Sequence, residues 1–386
     1  MPNVLVVGGG LSGVATAWFL QQAVVSVSNK LKDELRVQVF EANERLGGRM
    51  ATHPFLNENL KELRGHADLG AQYITRYRNP DHDEVFSVLS QRGILQPFDT
   101  ASGAIDGIKT SSETYPHLLA PLGAQSIVES LSEGLAVSLS TKVQSISLFS
   151  DRISVSSVSR EGEQCSDWDY VILALPTSHA LQILSNSPSL SSLPSTSAYN
   201  TLISTLSSVR YSARYAYAAL FPRLEGTEQT STWTAKYLPS DPILRYLSIE
   251  NHKYWAVSGP EQERFVSVIV HTAIPYYEER ERLRRERADE ERVDEETKLE
   301  LLESMRRHLP FSPPLSDPLQ QHLCRWTVSQ TLKPLGTSSL HHLALPLGDQ
   351  RALFFAGDYF TSSNMEGALD SARSVSNSLL SQMLQQ

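Results

Sequence analysis

The chain has 386 residues and carries 43 Asp plus Glu against 34 Lys plus Arg, a formal net charge of −9. That balance excludes a surface built for nucleic acid, which needs clustered positive charge, and the length points to two domains rather than one. The two cysteines, Cys165 and Cys324, lie far apart and outside any CxxC or Cys/His cluster, so neither a disulfide framework nor a metal site is expected.

No Lys or Arg precedes Lys30, so the apolar start lacks the positive region of a secretory signal. No apolar run reaches the roughly 18 residues of a membrane span. These features lead to the expectation of a cytoplasmic protein with no membrane partner, although export without a conventional signal stays open.

Val4 to Val7 is an apolar run of the kind found in a parallel strand buried on both faces. Gly8, Gly10 and Gly13 follow as GxGxxG. Ala15, Trp18, Phe19 and Ala23 then recur at roughly helical spacing through "VATAWFLQQAVVSV". "RVQVFEA", Arg36 to Ala42, alternates into a second strand that ends on Glu41. In this context Gly8 permits the tight turn, Gly10 lets the backbone approach a pyrophosphate, and Gly13 lets helix and strand pack closely. The Glu41 carboxylate is placed to accept hydrogen bonds from a ribose. The separation from glycines to acid is longer than usual, and the polar "SVSNKLKDEL" connection absorbs the difference.

"EANERLGGRMAT" then couples Glu41 to Gly47, Gly48 and Arg49, glycines for close backbone approach and a cation for phosphate charge. "YVILALP" (Tyr170 to Pro176) and "ALFFAGD" (Ala352 to Asp358) look like further strands of the same domain, which is therefore discontinuous. Between them lie Ser-rich connections and the β-leaning stretches "RYAYAALF", "ILRYLSIE" and "RFVSVIVHTAIP", which imply an antiparallel sheet. From Glu278 to Arg307, acids and bases recur at i,i+4, as in a solvated helix or helical hairpin, with Leu299, Leu301, Leu302 and Met305 offering a packing face.

The run of Glu41, the glycine pair and Arg49 resembles the flavoproteins of the amine-oxidase and hydroxylase superfamily, as do "DLGAQYIT", "YVILALP" and "FFAGDYFTSSNMEGALDSA". Within it, "GGRMAT", "ADLGAQYIT", "YSARYAYAALF", "LRYLSIENHK", "VIVHTAIP" and "RWTVSQ", in that order over nearly the whole chain, resemble the renalase family. The resemblance departs in the charged stretch after Pro275, expected to leave the active site unaffected, and in loop expansions such as "FLNENLKELRG".

That resemblance implies an α/β fold, a Rossmann-type FAD-binding domain interleaved with an antiparallel-sheet substrate domain, like p-hydroxybenzoate hydroxylase and the amine oxidases. The FAD-binding domain would comprise 1–79, 121–185 and 340–386. The substrate domain would comprise 80–120 and 186–339, including the charged helical segment 278–307. It implies non-covalent FAD held by Gly8, Gly10, Ser12, Gly13, Glu41, Gly48, Arg49, Gln72, Tyr73, Val143, Asp358 and Asn364. Of these, Asp358 would meet the ribityl chain, Val143 the adenine through its backbone, and a helix start after Asp358 the flavin ring.

Renalases oxidise the 2- and 6-dihydro isomers of NAD(P)H to β-NAD(P)+ and pass the electrons through FAD to O2, giving H2O2. Loss of hydride turns a dihydropyridine directly into an aromatic pyridinium, so the chemistry needs no general base and rests on proximity. Tyr217, Tyr237, Arg245, His271, Trp326 and Gln330 are the candidate pocket residues. Structural roles compete: sheet core for Tyr217, a hydrogen-bonded core histidine for His271, an ion pair with Glu250 or a nearby acid for Arg245.

Two other functions stay open. An amine oxidase acting on catecholamines or polyamines commonly uses a lysine near the flavin, and many attach FAD through cysteine. Here no cysteine lies between Cys324 and the C-terminal motif, and the nearest lysine, Lys333, sits in loop-like "TLKPLG". A binding or signalling protein that keeps FAD as a structural element is the other alternative.

Overall fold

The apolar run near the start becomes the central strand Asn3–Val7, and its alternating side chains enter two different cores. Val4 and Val6 pack with Ala17, Leu20 and Phe354 on one face, while Leu5 and Val7 pack with Val171 and Phe355 on the other. Burial on both faces is why this strand reads as a continuous apolar run. The structure, a computed structural model, describes residues 2–27, 35–57, 59, 62–77, 79–98, 104–107, 115–149, 151–191, 196–231, 233–254, 262–287, 289–336, 341–347 and 351–385. Most of the polar connection after Val27 therefore lies outside the described residues, as does part of the expanded loop near Asn57.

Asn3–Val7 pairs in parallel with Arg36–Phe40 and with Tyr170–Leu173, which in turn pairs in parallel with Ala352–Phe355. The full sheet has six strands, with Leu343–Pro346 antiparallel at one edge and Ala136–Ser138 parallel at the other. The helices Leu11–Val27 and Met365–Leu384 pack together on one face of it, with Val375 and Leu379 against Val4 and Val6. A separate antiparallel sheet of three strands, Lys142–Leu148, Ile153–Ser159 and Gly162–Trp168, covers the opposite face.

The second large sheet also has six strands. Its order is Gln320–Trp326, Arg214–Pro222, Phe265–Thr272, Leu244–Ile249, Trp233–Tyr237 and Ala104–Asp106. All neighbours are antiparallel except the last pair. The α/β class and the antiparallel second sheet thus match the reading of the sequence.

Three expectations require correction. Helix Asp83–Gln91, expected with the substrate half, buries Val85, Phe86 and Leu89 among Val14, Trp18, Ile127 and Leu369 of the nucleotide half. Likewise Leu190, Tyr199, Leu202, Leu206 and Val209 cover the parallel sheet. In both cases an apolar face found the nearer sheet-and-helix core, a choice that charge and serine content do not reveal.

The charged stretch forms an antiparallel pair of helices, Ile274–Arg287 and Glu290–Arg306, with Asp289 accepting a cap bond from the Arg292 N–H at 3.0 Å. Val293, Thr297, Leu301, Leu302 and Met305 are buried, but Leu299 is 67% exposed because it falls off that i,i+4 stripe. Ile274 and Pro275, at the start of the first helix and ahead of the charged segment 278–307, line the large cavity described below. Among the described residues no helix is long and apolar enough to cross a membrane, and no group of His, Cys, Asp and Glu is arranged to hold a metal.

Candidate active site

Both large sheets open onto one cavity of about 1640 Å³. That exceeds the roughly 300–1,000 Å³ of a site for one small ligand, so there is room for a cofactor and a substrate together. On the nucleotide side it is lined by Gly8, Gly10, Ser12, Glu41, Gly47, Gly48, Arg49, Gln72, Tyr73, Val143, Asp358 and Asn364. Gly13 lies behind this surface.

The turn after Asn3–Val7 is possible only with glycine at two points. Gly8 has φ +112°, a region that L side chains rarely adopt. A Cβ on Gly13 would stand 1.9 Å from the Gly8 carbonyl oxygen. A Cβ on Gly10, by contrast, meets no protein atom within 4 Å, so this backbone presents an open cradle at the N-terminus of helix Leu11–Val27.

The buried Glu41 carboxylate is fixed beside it. It accepts the Gly9 N–H at 2.6 Å and the Asn43 N–H and amide at 2.8 and 2.5 Å. Gly47 joins the same surface by donating its N–H to Gly9 at 2.9 Å.

Arg49 makes a bidentate pair with Asp358, Nη1 to Oδ2 at 2.8 Å and Nη2 to Oδ1 at 2.6 Å. Ser363 also donates to Asp358 Oδ2, at 2.8 Å. Burial works against the Arg49 charge, yet Asp358 more than restores it and the guanidinium pKa is raised. Arg49 is therefore a balanced cation that ties the glycine turn to the C-terminal motif. Asn364 caps helix Met365–Leu384 by accepting the Gly367 N–H at 2.8 Å, which leaves that helix start at the cavity wall.

The opposite wall is a row across the antiparallel sheet. Trp326 stands opposite Arg214, Ala216 opposite His271, His271 opposite Tyr246, and Tyr246 opposite Tyr237. The rings form a continuous surface, with Tyr237–Tyr246 centroids at 5.1 Å and Tyr246–His271 centroids at 5.7 Å. Tyr73 joins from the nucleotide side through a 2.8 Å contact of its hydroxyl with that of Tyr237.

His271 is held well away from protonation. Burial chiefly, with the nearby Arg214 and Lys253 charges, pushes its pKa down to about 3. Burial likewise raises the Tyr73 and Tyr246 hydroxyls. His271 Nε2 lies 3.5 Å from the Gln72 amide nitrogen, and the other end of that amide accepts from Lys253 Nζ at 2.9 Å. An ammonium cannot accept, so Lys253 fixes which way the Gln72 amide points.

Of the pocket candidates, Tyr237, Arg245, His271, Trp326 and Gln330 all line the cavity. Tyr217 does not: it is fully buried on the opposite sheet face among Tyr215, Phe221, Val268 and Leu301, and its hydroxyl donates to Gln321 at 2.6 Å. Strand alternation explains the difference, since Ala216, not Tyr217, shares the face of His271. The ion pair with Glu250 considered for Arg245 does not form, because Glu250 instead meets Lys253 Nζ at 2.7 Å.

Arg214, Tyr246 and Arg325 also line the cavity and were missed. Arg214 was legible as the residue of "YSARYAYAALF" that alternates toward the aromatic row, whereas Arg325, opposite Tyr215, has the other parity and was not. Neither cysteine lines the cavity, and Lys333 is exposed on the short strand Thr331–Lys333.

Comparison with known proteins agrees with this architecture. The model for NAD(P)-binding Rossmann-like domains matches residues 6–91, and that for flavin-containing amine oxidoreductases matches residues 93–380. Renalase from Mus musculus is 29% identical over 383 residues, spanning 97% of this chain and 98% of the relative. A solved structure assigned as a protoporphyrinogen oxidase from Exiguobacterium sp. 255-15 superposes with TM-score 0.63 at 13% identity, covering 100% of this chain and 99% of that one. Cyclohexylamine oxidase from Brevibacterium oxydans IH-35A gives 0.61 at 15%, covering 99% of each. These two likenesses speak for the fold alone. The open cradle at Gly10, the buried Glu41 and the cavity volume fit FAD, the cofactor of this family. The chain thus belongs to the flavin-containing amine oxidoreductases, as an FAD-dependent oxidoreductase of renalase-like sequence.

Proposed function

We propose that the protein oxidises the 2- and 6-dihydro isomers of NAD(P)H to β-NAD(P)+, with O2 as final acceptor and H2O2 as product. FAD, when bound, supplies the two-electron acceptor and the route to O2. The hydride removed from the dihydronicotinamide carries both electrons, and one proton from solvent completes H2O2.

The observation that carries this reading is that, among the described residues, the substrate wall presents no working base. His271 stays neutral with a pKa near 3, and the raised tyrosine hydroxyls stay protonated. The carboxylates lining the cavity are engaged: Glu41 by Gly9 and Asn43, Asp358 by Arg49 and Ser363, Asp241 by two backbone N–H groups and His308. A dihydropyridine needs no base, because aromatisation drives loss of hydride. An ammonium substrate would first have to give up a proton.

The chain's own work is then positioning. The aromatic row of Tyr237, Tyr246 and His271, whose neighbouring rings are inclined at 69° and 40°, offers ring faces and edges against which a nicotinamide ring packs. Gln330, whose oxygen accepts from Arg214, offers its amide N–H groups to the carboxamide, while Gln72 is fixed between Lys253 and the Asp68 carbonyl.

Anaerobic mixing of the holoprotein with 2- or 6-dihydroNAD, with a biogenic amine in a parallel cuvette, tests the assignment. Bleaching of the flavin by the dinucleotide isomers alone, reversed by O2 with release of peroxide, is the expected outcome. Bleaching by the amine alone would assign an amine oxidase. Bleaching by neither would leave a flavin-containing binding protein.

A further inference from the structure

The substrate side of the cavity carries positive charge that a neutral ring does not require. Arg214, Arg245 and Arg325 line it, each from a different strand of the antiparallel sheet. Arg325 has Glu281 at 3.5 Å. Among the described residues, Arg214 has a neutral acceptor, Gln330 Oε1 at 3.0 Å, and its Nε is buried with no hydrogen-bond partner. Arg245 has no ion-pair partner among the described residues. Asp241, which also lines the cavity, is already engaged by the Ile243 and Leu244 N–H groups at 2.8 Å each and by His308 at 2.8 Å.

Backbone geometry places Arg245 deliberately. Strand Leu244–Ile249 pairs with Phe265–Thr272 through Leu244 opposite Thr272 and Tyr246 opposite His271, so Arg245 is the extra residue of a β-bulge. A bulge re-aims one side chain at the cost of a ladder position. Here it puts Arg245 on the cavity without taking Tyr246 out of the aromatic row. Strand Phe265–Thr272 separates the strands of Arg214 and Arg245, so their backbones stand about 10 Å apart, within reach of two arginine side chains converging on one group. Two guanidiniums without a carboxylate, beside a ring-binding surface, match a phosphate rather than a carboxamide.

We propose that Arg214 and Arg245 form an anion subsite that takes the diphosphate of the dinucleotide substrate; this rests on the function proposed above. The same charge repels an ammonium substrate, so the pair selects against amines as well as for phosphates. Burial and the neighbouring Arg245 charge lower the pKa of Arg214, a cost that a bound anion would relieve.

The test uses the holoenzyme and two probes, inorganic pyrophosphate and the series dihydronicotinamide riboside, mononucleotide and dinucleotide. Calorimetry should show pyrophosphate binding that weakens about tenfold to a hundredfold in Arg245→Met, weakens as salt is added, and is partly restored in Arg245→Lys. The dissociation constant of the mononucleotide should rise in Arg245→Met while that of the riboside, which has no phosphate, stays put. Arg214→Lys, which keeps the charge but loses the fork, serves as the second variant in case a neutral residue at 214 disturbs the sheet, and it should weaken pyrophosphate binding too.

Equal pyrophosphate affinity in wild type, Arg245→Met and Arg214→Lys overturns the subsite, even where the dinucleotide still bleaches the flavin. Arginine-dependent pyrophosphate binding supports the subsite, even where no dihydronicotinamide bleaches it. The two readings therefore fail separately.

Discussion

Lys253 shows how far one buried side chain can act. It is 2% exposed, with its ammonium 2.7 Å from Glu250, 3.6 Å from Asp68 and 2.9 Å from the Gln72 side-chain amide oxygen. Burial pushes the Glu250 carboxyl above the usual range while Lys253 pulls it back, so the cation is what keeps two neighbouring buried carboxyls compatible with folding. Removing one partner of such a cluster costs about 3–5 kcal/mol, because the remaining charge is left without compensation. Lys253→Met should accordingly lower the denaturant midpoint of the holoprotein steeply. Pairing it with Glu250→Gln should recover part of the loss, and if the double variant is no better than the single one, charge compensation is not what Lys253 provides. The cluster was not legible in the sequence, because its members meet only when the strand ending at Asp68 docks beside Glu250, whose carboxylate accepts the Asp68 N–H at 2.9 Å across 182 positions. The sequence shows only isolated charged residues there.

At the scale of elements, the strand–turn–helix from Asn3 to Val27 was readable because each requirement is local: an apolar run, glycines at fixed offsets, then helical spacing. Two of those glycines make opposite predictions. Gly13→Ala places a methyl 1.9 Å from the Gly8 carbonyl oxygen and must separate helix from strand, so it should lower thermal stability with or without added FAD. Gly10→Ala meets no protein atom, so it should leave stability without FAD near wild type and weaken only flavin retention, read as the ratio of visible to ultraviolet absorbance after gel filtration. Equal stability losses in both variants would remove the distinction. The antiparallel strands were also legible, but the facing of their residues was not. Tyr217 and Tyr246 look alike in sequence, yet alternation buries the first behind the sheet, whereas the bulge at Arg245 shifts the parity of the second. A bulge leaves no mark in hydrophobic periodicity, which is why Tyr246 escaped notice and Tyr217 was chosen.

At the scale of the whole molecule, the two halves are joined by the hairpin Thr52–Leu56 and Leu63–Asp68. It follows directly on Arg49 and packs Phe55 and Ala67 against Ala216, Ala218 and Ile269 of the antiparallel sheet. Two histidine sites sit along this seam. His271 faces the cavity from the sheet, and His53 of the hairpin stacks on His322 of strand Gln320–Trp326 with centroids 4.0 Å apart. Burial lowers His271 to about 3 and, together with the His322 charge, lowers His53 to about 4, from an ordinary value of 6.5. Between those limits the unfolded chain binds protons that the folded one refuses, so the stabilisation is complete above about pH 6.5 and is lost as pH falls toward 4 and then 3. A fully buried histidine of this kind contributes a slope of about 1.4 kcal/mol per pH unit within its window. Urea midpoints of the holoprotein should therefore fall from pH 6.5 to 4, with His271→Gln flattening the slope and the neutral-pH midpoint changing less than the acid one. Because His271 touches the site and His53 does not, acid should also release the flavin in step with unfolding in His271→Gln but ahead of it in His53→Gln. An unchanged acid slope in His271→Gln would mean that the His271 ring is already solvated in the folded protein, contrary to the buried, neutral imidazole on which the proposed function rests.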